Sequence, residues 1–208
     1  MEMIKKSPVN SLIVIANVIM FLVAEVMGGS TDTQVLIRLG GANSQLILQN
    51  GEYYRLFTCM FLHAGLSHLI NNMLVLLIIG DNFERAVGKV RYLLIYLVGG
   101  VAASYLSFWI DVNLTGQTQV TSVGASGAIF AVIGAMIYIL IINKGRLENL
   151  TTIQLVVMAA LSLYMGFRSA TVDNAAHVGG LLAGFILAVI FYRRSTTIKI
   201  AQKRRRRQ

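Results

Sequence analysis

Six long apolar segments constrain the fold of this chain more than any other feature of its sequence. They run from Ser11 to Met27, Leu66 to Ile79, Tyr92 to Trp109, Ala125 to Ile142, Thr151 to Met165 and Ala175 to Tyr192. A helix needs about 20 mostly apolar residues to cross a bilayer, and most of these segments approach that length. The pattern therefore predicts an all-α polytopic membrane protein with six transmembrane helices and a long loop between the first and the second.

The composition supports a membrane protein and excludes other classes. Of the 208 residues, 56% are hydrophobic and 13% are charged, whereas soluble proteins average roughly 45–50% apolar and about 25% charged residues. The single cysteine, Cys59, excludes an intramolecular disulfide framework and a cysteine-based zinc site. The three histidines have no pair of acids nearby, so we predict neither a metal site nor a cofactor.

The net charge of +9 is concentrated in one short segment. Residues 193–208 contain eight lysines and arginines and no acid, which leaves residues 1–192 with a net charge of +1. A basic tail directly after an apolar segment is typical of binding to anionic lipids on the cytoplasmic side, and nucleic-acid binding is the weaker alternative. We therefore predict a membrane domain, residues 1–192, followed by a basic cytoplasmic tail, residues 193–208.

The distribution of lysine and arginine between the loops indicates the orientation. With the N-terminus inside, the inner segments hold fifteen of these residues and the outer segments hold three, Arg38, Arg55 and Arg168. Because positive residues favour the cytoplasmic side, both termini are predicted to be cytoplasmic in a protein of the cell membrane. The long loop of about residues 28–65 then lies outside, and its apolar patches predict short helices in the outer membrane interface.

Four polar residues inside the apolar segments are candidates for function, because a polar group in a membrane costs free energy and needs a partner or a role. In the predicted orientation His68, Ser126 and His177 lie near the outer ends of three different helices, at similar depth. Asn72 follows His68 by four residues, so it shares a helix face with it and lies about 6 Å deeper. The topology predicts that these residues meet in one layer.

Ser126 and His177 have the chemistry of a nucleophile and its general base. A serine hydroxyl needs a base within hydrogen-bond distance to become a good nucleophile. Ser126 lies in the Gly-Ala-Ser-Gly segment 124–127 at the start of a helix, where free backbone N–H groups and the helix dipole favour a developing oxyanion. His68 and Asn72 could add side-chain donors. The Gly-x-Ser-Gly pattern alone is a weak signal, since small residues also serve helix packing.

Small residues predict close contact between the fourth and the sixth helix. The sixth segment contains Gly180 and Gly184, and the fourth contains a series with the same spacing, Gly127, Ala131 and Ala135. Such residues let two helix backbones approach closely in a membrane. If these faces meet, Ser126 and His177 come within hydrogen-bond distance. The alternative is that the glycines only pack the helices and that His177 is structural.

Five short motifs connect these residues along the chain. They are 51–55 (GEYYR), 61–65 (FLHAG), 68–72 (HLINN), 124–127 (GASG) and 176–180 (AHVGG), the last followed by Gly184. In order, spacing and position relative to the six apolar segments, they resemble the motifs of the rhomboid family of intramembrane serine proteases. The resemblance covers nearly the full chain, and the combination is specific although no single motif is.

The resemblance implies a serine–histidine dyad in which Ser126 is the nucleophile and His177 is the general base. It implies that His68, Asn72 and the backbone N–H of Ser126 stabilise the oxyanion. Gly124 matches the glycine that shapes the loop before the nucleophile.

Further matches of the resemblance are structural residues near the site. Arg55 matches the arginine of a Trp-Arg motif in the first outer loop, where Tyr54 stands in place of the tryptophan. Glu84 matches a structural acid at the cytoplasmic end of the second helix. The remaining residues of this group are Gly127, Gly180 and Gly184.

Three other polar residues have two interpretations each. Asp173 lies four residues before His177 and either orients it, which would complete a triad, or caps the start of the sixth helix, the commoner role of such an aspartate. Glu25 either gates water or substrate or pairs with Arg55 or another donor of the loop. His63 is expected to form structural hydrogen bonds and not to bind a ligand.

The sequence and the resemblance together predict an intramembrane serine endopeptidase. Its substrates would be single-span membrane proteins, cleaved in or near the outer half of the bilayer, with small residues preferred at the cleavage site as the resemblance implies. One alternative is an inactive relative that binds membrane clients, which would not need Ser126 or His177. Another is a small transporter, which would need broken helices and an internal repeat that the sequence does not show.

Overall fold

The structure of the protein is a computed structural model that describes residues 6–143, 146–147, 150–167 and 172–192. Its long helices are α1 (Pro8–Val26), α5 (Leu66–Val75), α7 (Lys89–Asn113), α8 (Ser126–Ile142), α9 (Thr152–Phe167) and α10 (Asn174–Phe191). α5 continues through a π-helical turn, Leu76–Gly80, into α6 (Asp81–Val87). The basic tail, residues 193–208, lies outside the described residues, so its predicted contact with lipid remains a prediction.

The prediction of a helical polytopic membrane protein is confirmed. Four helices of the described residues are long and apolar enough to cross a membrane, namely Pro8–Val26, Leu66–Val87, Lys89–Asn113 and Asn174–Phe191. α8 and α9 are apolar but shorter. Each predicted segment thus corresponds to a helix, and the count of six membrane crossings remains a prediction for α8 and α9.

The second helix extends further than its apolar segment. The prediction ended it at Ile79, whereas the helix runs on to Val87. The added residues include four polar ones, Asp81, Asn82, Glu84 and Arg85. Arg85 forms an ion pair of 3.0 Å with Asp81 one turn earlier. Gly88, with a φ of 85°, ends the helix because glycine adopts this conformation without steric cost. Loss of hydrophobicity marks the edge of an apolar segment but does not end a helix.

The loop between α1 and α5, called the outer loop after its predicted side, contains short helices as predicted, and its place in the membrane interface remains a prediction. They are α2 (Thr33–Arg38), α3 (Ser44–Asn50), α4 (Arg55–Thr58) and a 3-10 turn, Cys59–Phe61. A two-residue strand, β1 (Ala42–Asn43), pairs antiparallel with β2 (Thr121–Ser122), just before α8. This pairing joins the outer loop to the segment that leads into Ser126. A second short pair, β3 (Arg146–Leu147) with β4 (Leu150–Thr151), precedes α9.

α8 is the central helix of the bundle. Residues 127–136 are all buried, and α7, α9, α10 and the π-helical turn pack around them. A helix with apolar residues on every face is usually surrounded by other helices on every side, as α8 is. The first residue of α8 is Ser126, so the most enclosed helix of the bundle carries the predicted nucleophile at its N-terminus.

Polar side chains tie the beginning of α1 to the end of the second helix. The Glu84 carboxylate accepts hydrogen bonds from the backbone N–H groups of Val9 (3.2 Å) and Asn10 (2.7 Å). The Asn10 amide donates to the Leu76 carbonyl at 2.9 Å, and the Tyr92 hydroxyl donates to Asn10 at 2.7 Å. The first N–H groups of a helix have no intrahelical acceptor, so Glu84 satisfies donors that would otherwise be buried unpaired.

Candidate active site

Ser126 borders a small opening, whose empty space of about 330 Å³ includes open solvent. Small residues surround the serine there, and they are Gly124, Gly127, Ala128 and Ala176. Ser126 is also the first residue of α8, where backbone N–H groups lack helical acceptors and the helix dipole is positive. The position suits a nucleophile, because an attacked carbonyl group finds both space and hydrogen-bond donors.

The loop before Ser126 requires glycine at position 124. Gly124 has a φ of 131°, which side-chain-bearing residues rarely adopt, and a β-carbon there would lie 2.8 Å from the imidazole of His68. Its N–H donates to the Cys59 carbonyl at 3.0 Å, so the outer loop holds this backbone in place. The predicted shaping role of Gly124 therefore has two physical causes, a positive φ and close contact with His68.

His68 and Asn72 approach the same glycine from α5. A β-carbon on Gly124 would lie 2.8 Å from His68 Nε2 and 3.8 Å from Asn72 Nδ2. Asn72 is 7% exposed, and its Nδ2 has no hydrogen-bond partner among the described residues. Asn71 is exposed on the other side of the helix. Both side chains thus lie near the backbone two residues before Ser126, and their role in oxyanion stabilisation remains a prediction.

His177 lies on the first turn of α10, against the same face of α8 as Ser126. Its ring stacks on Phe130 with centroids 4.2 Å apart and planes 9° from parallel. Phe130 follows Ser126 by four residues, so the two lie on the same face of α8. Among the described residues no hydrogen bond joins Ser126 to His177, and His177 Nδ1 is buried without a partner. The dyad bond remains a prediction, and such bonds are often long before substrate binds.

The predicted contact between the fourth and sixth helices is present. A β-carbon on Gly180 would lie 2.1 Å from the Gly127 carbonyl oxygen, and one on Gly184 would lie 1.8 Å from the Ala131 carbonyl oxygen. The reverse holds in α8, where a β-carbon on Gly134 would lie 2.0 Å from the Leu181 carbonyl oxygen. α8 and α10 therefore touch backbone to backbone over two turns, which keeps His177 beside Ser126.

Asp173 caps α10 and also joins two other elements to it. Its Oδ1 accepts from the Ala176 N–H at 2.8 Å, and its Oδ2 accepts from the hydroxyls of Ser107 (2.5 Å) and Ser122 (2.9 Å). No hydrogen bond to His177 is formed in the described residues, so the capping interpretation is confirmed and no triad is present in them. The sequence analysis missed Ser107 and Ser122, because single serines in an apolar helix and in a loop carry no signal of a shared partner.

Arg55 organises the outer loop and does not line the cavity. It forms an ion pair of 2.6 Å with Glu52 and donates to the carbonyls of Ile37 (2.6 Å) and Gly41 (3.1 Å). Hydrogen bonds from Asn50 and Arg55 lower the pKa of Glu52, so the pair stays charged. Arg55 is therefore structural, as the resemblance implies, but it acts in the loop and not next to Ser126.

Glu84 is likewise structural but far from the site. It follows His68 by 16 residues on one continuous helix, a separation of roughly 24 Å at 1.5 Å per residue. Grouping Glu84 with residues near the site was therefore wrong, because the two ends of a transmembrane helix are separated by most of the bilayer.

Two other expectations have different outcomes. Glu25 accepts hydrogen bonds from the backbone N–H and the hydroxyl of Ser30, so it pairs with a loop donor, which is not Arg55. The expected hydrogen bonds of His63 are absent: both of its ring nitrogens are buried without a partner in the described residues. His63 instead packs edge-on against His68, with centroids 5.0 Å apart.

Within the described residues no group of three or more His, Cys, Asp or Glu could hold a metal ion.

The predicted role of Asn72 in oxyanion stabilisation can be tested by mutation. Asn72→Ala should lower kcat by roughly 10²–10³ with little change in KM, because the donor acts on charge that develops in the transition state. The control is Asn71→Ala, one residue along on the exposed side of the helix, which should stay within about threefold of the wild type. Steady-state kinetics on one transmembrane substrate measures both. Loss of turnover in Asn71→Ala alone would contradict the assignment of the helix face.

The fold and the site together define a polytopic helical membrane protein with a serine and a histidine held between two closely packed helices. Residues 50–194 match the family model of the Rhomboid domain. The chain belongs to the rhomboid family.

Several relatives of known name share this similarity. Rhomboid protease GluP of Bacillus subtilis (strain 168) is 37% identical over 177 residues, which are 85% of this chain and 33% of that protein. RHOMBOID-like protein 5 of Arabidopsis thaliana is 39% identical over 74% of this chain and 49% of its own length. Putative rhomboid protease YdcA of Bacillus subtilis (strain 168) is 30% identical over 68% of both chains. The chain spans a third to a half of the length of the first two relatives.

Proposed function

We propose that this protein is an intramembrane serine endopeptidase in which Ser126 is the nucleophile and His177 is the general base. One observation carries the proposal: Ser126 begins α8 beside a cavity, and His177 stacks on Phe130 of the same helix. The unpartnered amide of Asn72 lies near Gly124, two residues before Ser126. Membership of the rhomboid family and the printed names of two relatives as rhomboid proteases support it.

The proposed reaction is acyl transfer in two steps. His177 takes the proton of the Ser126 hydroxyl as the oxygen attacks the scissile carbonyl carbon, and the oxyanion accepts hydrogen bonds from His68, Asn72 and the backbone N–H of Ser126. His177 then gives the proton to the leaving amine, which departs with the C-terminal fragment. Water, activated by His177, hydrolyses the acyl-enzyme and releases Ser126. His177 has no carboxylate hydrogen-bonded to it in the described residues, which supports a dyad over a triad.

The proposed substrates are single-span membrane proteins cut in or near the outer half of the bilayer. Each amide of a transmembrane helix is hydrogen-bonded within the helix, so a substrate must unwind locally before its carbonyl can reach Ser126. The proposed orientation places both termini in the cytoplasm of a cell-membrane protein and the outer loop, residues 28–65, on the opposite side. The basic tail, residues 193–208, would then bind anionic lipid.

The proposal is tested by labelling with a serine-directed probe. The purified protein in detergent should react covalently with a fluorophosphonate at one residue, and peptide mass spectrometry should place the adduct on Ser126. The same preparation should cleave members of a panel of single-span substrates. An inactive client-binding relative would bind such substrates but neither cleave them nor react with the probe, and that outcome would replace the proposed function.

A further inference from the structure

Asp173 is hydrogen-bonded to the chain segments that lead into both members of the proposed dyad. Its Oδ1 accepts from the backbone N–H of Ala176 at 2.8 Å, one residue before His177. Its Oδ2 accepts from the hydroxyl of Ser122 at 2.9 Å, and Ser122 ends β2, four residues before Ser126. One carboxylate therefore fastens the start of the helix that carries the base to the strand that precedes the nucleophile.

The loop between β2 and Ser126 is not held to α10 by helix packing. The backbone contact of α8 with α10 involves Gly127 and residues that follow it, whereas residues 123–125 are not helical. The pairing of β2 with β1 and the bond from the Gly124 N–H to the Cys59 carbonyl attach this loop to the outer loop. Within the described ranges, the hydrogen bond of Ser122 is the one that joins residues 120–125 to Asp173 at the start of α10.

A second hydroxyl donates to the same carboxylate oxygen. Ser107, which is 2% exposed on α7, donates to Oδ2 of Asp173 at 2.5 Å. Hydrogen bonds to an ionised group are roughly twice as strong as those between neutral groups, so both serine hydroxyls form strong bonds here. Because Ser107 belongs to neither segment of the dyad, its bond has the same chemistry as that of Ser122 without the link to the nucleophile.

We propose that Asp173 is a positioning residue: through Ser122 it keeps the nucleophile Ser126 in register with the start of α10, which carries the proposed base. This inference rests on the proposed function. It goes beyond the capping of α10, because a cap needs only Oδ1, whereas the bond to Ser122 uses Oδ2. Asp173 acts in this role through its two hydrogen-bonded neighbours and not on the reacting atoms.

The experiment compares Ser122→Ala with Ser107→Ala as a matched pair. Each variant removes one hydroxyl donor from the same carboxylate oxygen. A shift of a nucleophile by about 1 Å can lower the rate on the order of 100-fold, so Ser122→Ala should lower kcat at least about 10-fold with little change in KM. Ser107→Ala leaves the segment before Ser126 in place and should stay within about threefold of the wild type. Both constants are measured on one single-span substrate that the wild type cleaves.

Three further measurements separate positioning from stability. Thermal unfolding should show similar losses in Ser122→Ala and Ser107→Ala, because both lose the same kind of bond, and a purely structural role would then give similar kcat values as well. Ser122→Thr keeps the hydroxyl and should restore kcat to near the wild-type value. The rate at which a fluorophosphonate labels Ser126 should follow kcat in all three variants, since labelling needs the dyad but no unwinding of a substrate helix.

Asp173→Ser tests the carboxylate itself. Serine is a good N-cap, so α10 keeps its cap, but its side chain has no second oxygen to accept from Ser122. The value of kcat should therefore fall as in Ser122→Ala. The double variant should be no less active than Asp173→Ser, because both changes break one link. Should Ser122→Ala not fold, Asp173→Ser takes its place in the comparison with Ser107→Ala.

Two results would overturn the inference and leave the proposed function intact. One is an equal kcat in folded Ser122→Ala and Ser107→Ala. The other is additive loss of activity when Asp173→Ser is combined with Ser122→Ala. Failure of the proposed function has a different signature, namely cleavage that persists in Ser126→Ala or no labelling of Ser126 in the wild type, and the inference would then fall with it.

Discussion

Ser126→Ala is expected to abolish the proposed proteolysis and to leave the fold intact. Loss of the nucleophile should lower kcat by more than roughly 10⁴-fold, the scale seen when one member of a serine protease's catalytic unit is removed. The side chain of Ser126 borders a cavity and has no hydrogen-bond partner in the described residues, so its removal leaves no buried group unpaired. The free energy of unfolding should change by no more than about 0.5 kcal/mol. Cleavage assays and thermal unfolding of the purified protein measure the two effects separately.

His177→Ala should lower kcat by a comparable factor but should also cost stability. The imidazole is 7% exposed and stacks on Phe130, so its removal leaves a cavity between α8 and α10 and lowers the unfolding free energy by about 1–3 kcal/mol. Because the two residues act as a unit, the double variant should be no less active than either single one. Additive losses, or full activity in Ser126→Ala, would exclude the serine mechanism.

The arrangement of the site could be predicted because membrane topology fixes depth. In the predicted topology His68, Ser126 and His177 lie in the first turns of helices that run in the same direction, so counting residues from the predicted outer surface brings them to one layer before any contact is known. The small residues at Gly180 and Gly184 then identify the face of α10 that touches α8. These features can be predicted because they depend on residues close together in the sequence. The helical period of 3.6 residues gives the face of each residue, and small side chains mark where two helices can approach closely.

The features that sequence reasoning missed depend on contacts between distant segments. The pairing of β1 with β2, the bond from Gly124 to Cys59 and the bonds of Ser107 and Ser122 to Asp173 join residues 51 to 80 positions apart. Each of these contacts involves only two or three residues without a periodic pattern, so the sequence does not predict the contact. His63 was misjudged for a related reason: a buried histidine is expected to be hydrogen-bonded, and only the structure shows that its neighbour is another imidazole.

Gly180→Val should impair activity and stability together, whereas a change on the opposite face of α10 should affect neither. A β-carbon on Gly180 would lie 2.1 Å from the Gly127 carbonyl oxygen and 3.2 Å from the Ala131 nitrogen. Both atoms belong to the backbone of α8 and cannot rotate away, so the helices must separate. Leu182, which is 56% exposed, provides the control, and Leu182→Val should change the unfolding free energy by no more than about 0.5 kcal/mol.

The expected losses of stability and activity in Gly180→Val follow from the close packing of α8 against α10. Separation of the two helices should cost about 1–3 kcal/mol of stability, the usual penalty of overpacking. It also moves His177 away from Ser126, and a displacement of about 1 Å can lower the rate on the order of 100-fold. Gly180→Ala should lie between the wild type and Gly180→Val, since the β-carbon alone already meets the Gly127 oxygen. Thermal unfolding and kcat/KM across this series give the two trends, and full activity in Gly180→Val would show that close contact between α8 and α10 is not what holds the dyad together.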